Sequence, residues 1–276
     1  MRKTNEKVKR FLEMILRPEL RILPGHLAFF IVLSLIPTIT LVVYFASVFA
    51  VSTDTLVGLM ENLIPSQISD LLMPYLLGKG MSVSVGLSMI VAFFVASNGA
   101  YSIITASNTL YKIEGTSYIK GRIKAFFMTI LLVLLIIFMM LIFAYGNNIL
   151  NFVFSLGIIK KFSETVYIIY FILKWTLALF IMFCLIKLLY TMAPDYAIKS
   201  KYMNKGAAFT TVAFVFVSVI YSYYVTNIAN YNVIYGSLSS IVMLMIFIYI
   251  LSYIFVVGII INRSTYELEN TDGHKK

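Results

Sequence analysis

The 276-residue sequence predicts an all-α, polytopic membrane protein. It has six transmembrane helices, an N-terminal interfacial helix and a short helical hairpin in the first outer loop. Three observations carry this reading. Apolar residues make up 61% of the chain and charged residues 12%, whereas soluble domains average about 45–50% and about 25%. The uncharged residues are gathered into runs long enough to cross hydrocarbon. The Lys and Arg residues between those runs fall on alternate sides. So few charges cannot cover the surface of a water-soluble domain. A disulfide-stapled secreted fold is excluded as well, because Cys184 is the single cysteine.

Residues 1–21 form a cytoplasmic amphipathic segment. Val8, Phe11, Leu12, Ile15 and Leu16 repeat at helical spacing among Lys7, Lys9, Arg10, Glu13 and Arg17, and Pro18 stops them. Such a helix lies on a membrane surface. The six-helix domain occupies 22–262 and a cytoplasmic tail 263–276. The uncharged runs 22–53, 80–111 and 125–159 each hold one span, near 27–51, 82–106 and 124–146. A fourth span, near 166–190, carries Lys174 and Lys187. The last run, 206–262, is too long for one crossing and must turn back. Asn227, Asn230, Asn232 and Gly236 mark the turn, giving spans near 207–227 and 238–261. Val48-Phe49-Ala50 resembles a signal cleavage site. The apolar stretch before it is longer than the roughly 7–15 residues of a signal peptide, so the first span is read as uncleaved.

The first outer loop, 52–80, repeats the amphipathic device. Asp54 caps Leu56, Leu59, Met60, Leu63 and Ile64; after Pro65-Ser66 come Ile68, Leu71, Leu72, Tyr75 and Leu76. This reads as the helical hairpin, either a packing lid or a cover for the outer mouth.

Lys and Arg set the orientation. With the N-terminus inside, the cytoplasmic face collects 17: seven before the first span, four at Lys112–Lys124, three at Lys199–Lys205 and three after 262. The outside receives three, Lys79, Lys160 and Lys161. Both termini are therefore expected in the cytoplasm. The net charge of +10 follows from topology and from anionic inner-leaflet lipid, and does not argue for a nucleic-acid partner.

Little in the chain suggests catalysis. His26 and His274 lie at opposite ends, so with Cys184 they make no metal site. There is no Gly-x-Ser-x-Gly elbow and no phosphate-binding Gly-rich loop. The predicted spans contain no acidic residue, which weighs against a carboxylate proton relay. No cofactor and no metal is expected.

The candidate site residues are instead the polar ones within spans. Ser34, Pro37 and Thr38 cluster in the first, below His26 and Phe30. Pro37 frees the carbonyl of Leu33 and should kink the helix. Asn98, Ser102, Thr105 and Thr109 share one face of the second span, with Tyr101 and Asn108 close by. These faces must meet protein or water, so they either glue helices together or line a polar cavity. The third span, from Ala125 onward, is almost uniformly apolar and faces lipid. Lys174 follows Tyr167 and Tyr170 on one face of the fourth. It either snorkels to the outer headgroups or offers a counter-charge to an anionic lipid group. Tyr235-Gly236-Ser237 forms the turn back into the membrane.

Several segments resemble the YihY/BrkB-like membrane proteins, once labelled ribonuclease BN. They are Gly25-His26-Leu27-Ala28-Phe29-Phe30 with Ser34-Leu35-Ile36-Pro37; Asn98-Gly99-Ala100 with Asn108-Thr109-Leu110-Tyr111; Pro194-Asp195 before Lys205-Gly206-Ala207; and Tyr224, Tyr231, Tyr235-Gly236-Ser237-Leu238, Gly258 and Asn262. The chain departs at Phe29-Phe30, where the family usually has tyrosine. It departs again at Gly258-Ile259-Ile260-Ile261-Asn262, where an acid is common. The resemblance implies six spans, cytoplasmic termini and a bacterial inner-membrane location. It implies a role in virulence or envelope integrity, with some relatives linked to lipid export, and makes the ribonuclease label a historical mistake. The resulting expectation is a protein that transports or handles a lipid or lipid-linked envelope component, its partners being membrane lipids. A non-transporting envelope scaffold is the alternative.

Overall fold

The computed structural model describes residues 19–48, 85–114, 117–155, 163–229, 231 and 235–273. The expected interfacial helix at 1–18 and the hairpin at 52–80 lie outside them. Six long helices account for most of the rest: α1 Glu19–Val48, α2 Val85–Tyr111, α3 Tyr118–Ser155, α4 Ser163–Met192, α5 Asn204–Asn227 and α6 Ser239–Gly273. Short 3-10 turns at Ser200–Met203 and Gly236–Leu238 precede α5 and α6. No strand occurs among the described residues.

Five of these helices hold a described stretch long and apolar enough to cross a membrane, at Ile22–Ile39, Ile90–Tyr111, Phe171–Met192, Ser200–Asn227 and Ser239–Glu267. The sixth, α3, is 38 residues long, about 57 Å at 1.5 Å per residue, and carries no charge after Lys124. The chain is thus an all-helical polytopic membrane protein. Some helices run past the hydrophobic limits visible in the sequence. α3 starts at Tyr118 and α6 continues through Arg263 to Gly273. The hydrocarbon sets where charges become costly, whereas a helix ends only where its backbone hydrogen bonding stops.

α1 packs against α2, α3 and α6, and α5 joins α4 to α6. The outward faces are apolar at helical spacing, as bilayer contact requires. On α3 they are Ile119, Ile123, Phe127, Ile130 and Leu134; on α5, Val212, Phe216, Val219 and Tyr223.

Small residues set the closest crossings. A Cβ on Gly99 would lie 2.5 Å from Ser34 Oγ, so α2 meets α1 there because position 99 has no side chain. Where α5 crosses α6, a Cβ on Gly206 would strike the Gly258 carbonyl and Asn262, and one on Gly258 would strike Tyr190 and Thr210. Hydrogen bonds lock this junction. Asn262 Oδ1 accepts from Gly206 N–H at 2.8 Å, and the Tyr190 hydroxyl donates to the Phe255 carbonyl at 2.9 Å. Tyr190 Oη also lies 2.7 Å from Thr210 Oγ1. Ile260, in the stretch that lacks the familiar acid, is buried in the core.

Candidate functional site

A cavity of about 510 Å³ opens where all six helices meet, within the range of roughly 300–1,000 Å³ typical of ligand pockets. On α1 its wall runs from Leu27 to Val42, about 22 Å along the axis. Ala96, Gly99 and Ile103 of α2, Leu132 of α3, Leu185 of α4, Phe214 of α5 and Phe247 of α6 also contribute. The wall is almost entirely carbon.

Its four hydroxyls explain why. Ser34 Oγ donates to its own helix at the Ile31 carbonyl (2.9 Å), Thr38 Oγ1 to the Ser34 carbonyl (2.6 Å) and Thr129 Oγ1 to the Ala125 carbonyl (2.8 Å). Back-bonding of this kind is how Ser and Thr hide polarity in an apolar helix. Ser252 Oγ, on α6, is buried with no partner among the described residues. The cavity therefore presents hydrocarbon and one polar handle.

The charged end of the bundle, where α2, α4 and α6 finish and α3 and α5 begin, is organised differently. Ile113 N–H reaches back to the Asn108 carbonyl at 2.9 Å and ends α2, with Lys112 at φ 54°. This left-handed cap is usually glycine. Past it, Asn108 and Asp195 bond to each other through side chain and backbone, and Asp195 pairs with Lys124 at 2.8 Å. Lys124 Nζ also donates to the carbonyls of Ala193 and Pro194, at 2.8 and 2.7 Å. A cation thus caps the C-terminal end of α4. Arg263, paired with Glu267 at 2.7 Å, donates to the Leu110 carbonyl and ties α6 to α2.

Arg122 reaches furthest inward. Its Nη1 donates to Asn98 Oδ1 at 2.8 Å and its Nη2 to the Phe94 carbonyl at 3.0 Å. The guanidinium carbon stands 4.0 Å from the Phe94 ring centroid, 5.5 Å from Phe126 and 5.8 Å from Tyr101. Only 7% of Arg122 is exposed.

The residues singled out in the sequence do not gather at one place. Ser34 and Thr38 line the cavity, and α1 passes through Pro37 as one helix. Asn98 and Tyr101 surround Arg122. Buried Ser102 donates to the Gly99 carbonyl at 2.7 Å, and Asn108 belongs to the Asp195 cluster. Lys174 sits half-buried on α4 between exposed Leu173 and Trp175, outside the cavity wall. Gly236, at φ 51°, makes the turn before α6, with Tyr235 and Ser237 on either side. There Tyr231 lies 3.4 Å from Tyr224 hydroxyl to hydroxyl, a bond that holds the Tyr231 phenol above its ordinary pKa.

Sequence reasoning missed Arg122, Lys124 and Asp195 as interior groups, counting the two cations as loop charge. The clue was present: Arg122 lies seven residues, two helical turns, before Thr129, on one face of a helix beginning ahead of both. Among the described residues no cluster of His, Cys, Asp and Glu is arranged to hold a metal.

A family model described as Virulence factor BrkB matches residues 16–276. The chain is 28% identical over 242 residues to a ribonuclease-like protein, YfkH, of Bacillus subtilis, covering 85% of this chain and 86% of that protein. It is 25% identical over 248 residues to a UPF0761 membrane protein of Psychromonas ingrahamii (85% and 78% coverage). It is also 25% identical over 265 residues to a UPF0761 membrane protein of Aliivibrio fischeri (93% and 82%). No solved structure matches it.

Proposed function

The chain belongs to the Virulence factor BrkB family of membrane proteins, and from that premise we propose that it moves or handles a membrane lipid, or a similar amphipathic envelope component, whose hydrocarbon chain occupies the central cavity. One observation carries the reading: a void of about 510 Å³ with a carbon wall, its Ser and Thr hydroxyls turned onto their own helices apart from Ser252. A water-soluble substrate would find almost nothing to bond there, whereas an acyl chain needs only apolar surface.

In this reading the protein sits in the bacterial cytoplasmic membrane with both termini in the cytoplasm, following the 17-to-3 distribution of Lys and Arg. Ser34, Thr38, Gly99 and Ser252 lie along the chain's path. Lys174 supplies a counter-charge for a headgroup near the outer leaflet. The protein acts by binding and displacement rather than by chemical conversion.

The test fills the cavity. Ala96→Phe and Ala100→Phe should fold and stay in the membrane but lose co-purifying lipid, measured by mass spectrometry, and with it the envelope phenotype. Unchanged lipid in both variants would remove the basis of the proposal. The interlocked junction of Gly206, Gly258, Tyr190 and Asn262 favours the second reading, a non-transporting envelope scaffold. On that reading filling the cavity would leave the phenotype intact.

A further inference from the structure

We infer that Arg122 is the binding site for the phosphate of an anionic lipid whose chain lies in the cavity, an inference that rests on the function proposed above.

Arg122 is a buried cation inside the apolar part of the protein. Its two acceptors belong to α2 at Phe94 and Asn98, within the apolar stretch Ile90–Tyr111. Asn98 is 13 residues from Tyr111, about 20 Å along the axis. Both acceptors are neutral. The ion pairs at this end are Lys124 with Asp195 and Arg263 with Glu267, and no carboxylate of the described residues pairs with Arg122. Its Nε–H is buried with no acceptor among the described residues.

A guanidinium carries five N–H donors in a planar fork suited to the oxygens of a phosphate. Two donors are used here, each on a neutral oxygen. The rings of Phe94, Tyr101 and Phe126 surround the cation without cancelling its charge. An intramembrane cation left in this state is the usual mark of a functional group.

Arg122 stands beside the cavity rather than in its wall. Ala96 and Gly99 of the cavity wall lie at a similar depth to Phe94 and Asn98, on another face of α2. On α3, Thr129 in the wall lies two turns beyond Arg122 on the same face, about 10 Å away. A phosphate held by Arg122 would let the attached chain run along that face into the void. Lys124 does not compete for this role, because Asp195 and two carbonyls already hold it.

Full-length protein in detergent is titrated with phosphatidylglycerol, with diacylglycerol of the same chains and with inorganic phosphate, and bound species are counted by native mass spectrometry. Wild type should hold phosphatidylglycerol about tenfold more tightly than diacylglycerol, the effect of a charge-assisted hydrogen bond. Inorganic phosphate should not compete. Arg122→Gln should reduce phosphatidylglycerol to the diacylglycerol level, and Arg122→Lys should keep part of the preference. Asn98→Asp gives Arg122 an internal carboxylate, so it should stay folded and also lose the preference.

Preference retained in folded Arg122→Gln or Asn98→Asp overturns the inference. So does inorganic phosphate that binds as well as the lipid. Failure of wild type to retain diacylglycerol would instead defeat the cavity reading. If Arg122→Gln does not fold, wild type is photolabelled with phosphatidylglycerol bearing a diazirine on its headgroup. Adducts within 94–101 or 118–126 are expected, and adducts confined elsewhere refute the site.

Discussion

Asn108 and Asp195, 87 residues apart, hold each other by two bonds. The Asn108 amide donates to Asp195 Oδ2 at 2.8 Å, and its oxygen accepts the Asp195 backbone N–H at 2.9 Å. The second bond fixes the carboxylate's direction, leaving its other oxygen aimed at Lys124. The ends of α2 and α4 and the first turns of α3 are joined through one acidic side chain, 6% exposed.

Asp195→Ala should therefore destabilise the protein by about 2–3 kcal/mol, somewhat below the loss for a fully buried pair, because Lys124 retains partial exposure. Adding Lys124→Met should restore part of the thermal midpoint. A midpoint unmoved by Asp195→Ala would show that the cluster contributes no stability.

At the α5–α6 crossing, Gly206→Ala should cost about 3 kcal/mol, at the upper end of overpacking penalties. Its new Cβ meets the Gly258 carbonyl, which cannot rotate away. Gly25→Ala is the control. Its Cβ would approach nothing closer than the Tyr249 ring at 4.0 Å, and it should gain up to about 1 kcal/mol from helix propensity. Thermal unfolding of the two variants in one detergent separates them.

Asn98→Leu removes an acceptor from Arg122 and leaves the Phe94 carbonyl to serve it alone. The loss should be about 1–3 kcal/mol, the cost of an unsatisfied buried group, and above the roughly 0.6 kcal/mol average for membrane-helix hydrogen bonds. A normal melting curve would mean that the amide is dispensable to Arg122.

Lys174→Met replaces a half-buried lysine whose neighbours Leu173 and Trp175 face outward. If Lys174 meets a lipid headgroup, the same variant loses retained lipid while Lys174→Arg keeps part of it. Full lipid retention by Lys174→Met would reduce the lysine to a snorkelling group.

The orientation is checked in a Cys184→Ser background. Cysteines at Ser66, Lys160 and Asn230 should react with an impermeant thiol reagent added to intact cells, and those at Thr116 and Lys201 should not. Labelling at Lys201 would invert the topology.

The helices were legible because six apolar stretches separated by charge or by an asparagine-glycine turn admit few arrangements. The α5–α6 turn was placed by Asn227 and Gly236, and α5 ends at Asn227 while Gly236 takes the positive φ. The site was less legible. Helical spacing puts Ser34 and Thr38 on one face, but spacing cannot say whether a hydroxyl points at a neighbour or bonds the preceding turn. Here it bonds the preceding turn, so residues that read as polar build an apolar wall. Arg122 escaped notice for a related reason. Charge was used to mark where a span begins, so a charge inside the helix became its boundary. Which faces of α2 and α3 meet depends on packing between distant residues, and no local pattern encodes it.

The burial of Arg122 also bears on how the chain is made. Alone, a helix carrying an arginine into hydrocarbon faces a penalty, up to about 2.5–3.5 kcal/mol at mid-bilayer on insertion scales and less nearer the interface. The oxygens that relieve it here belong to Phe94 and Asn98, on the helix that leaves the ribosome earlier. α2 and α3 are therefore suited to enter the membrane as a hairpin, the first carrying the acceptors before the second delivers the charge. Order of synthesis and order of solvation coincide.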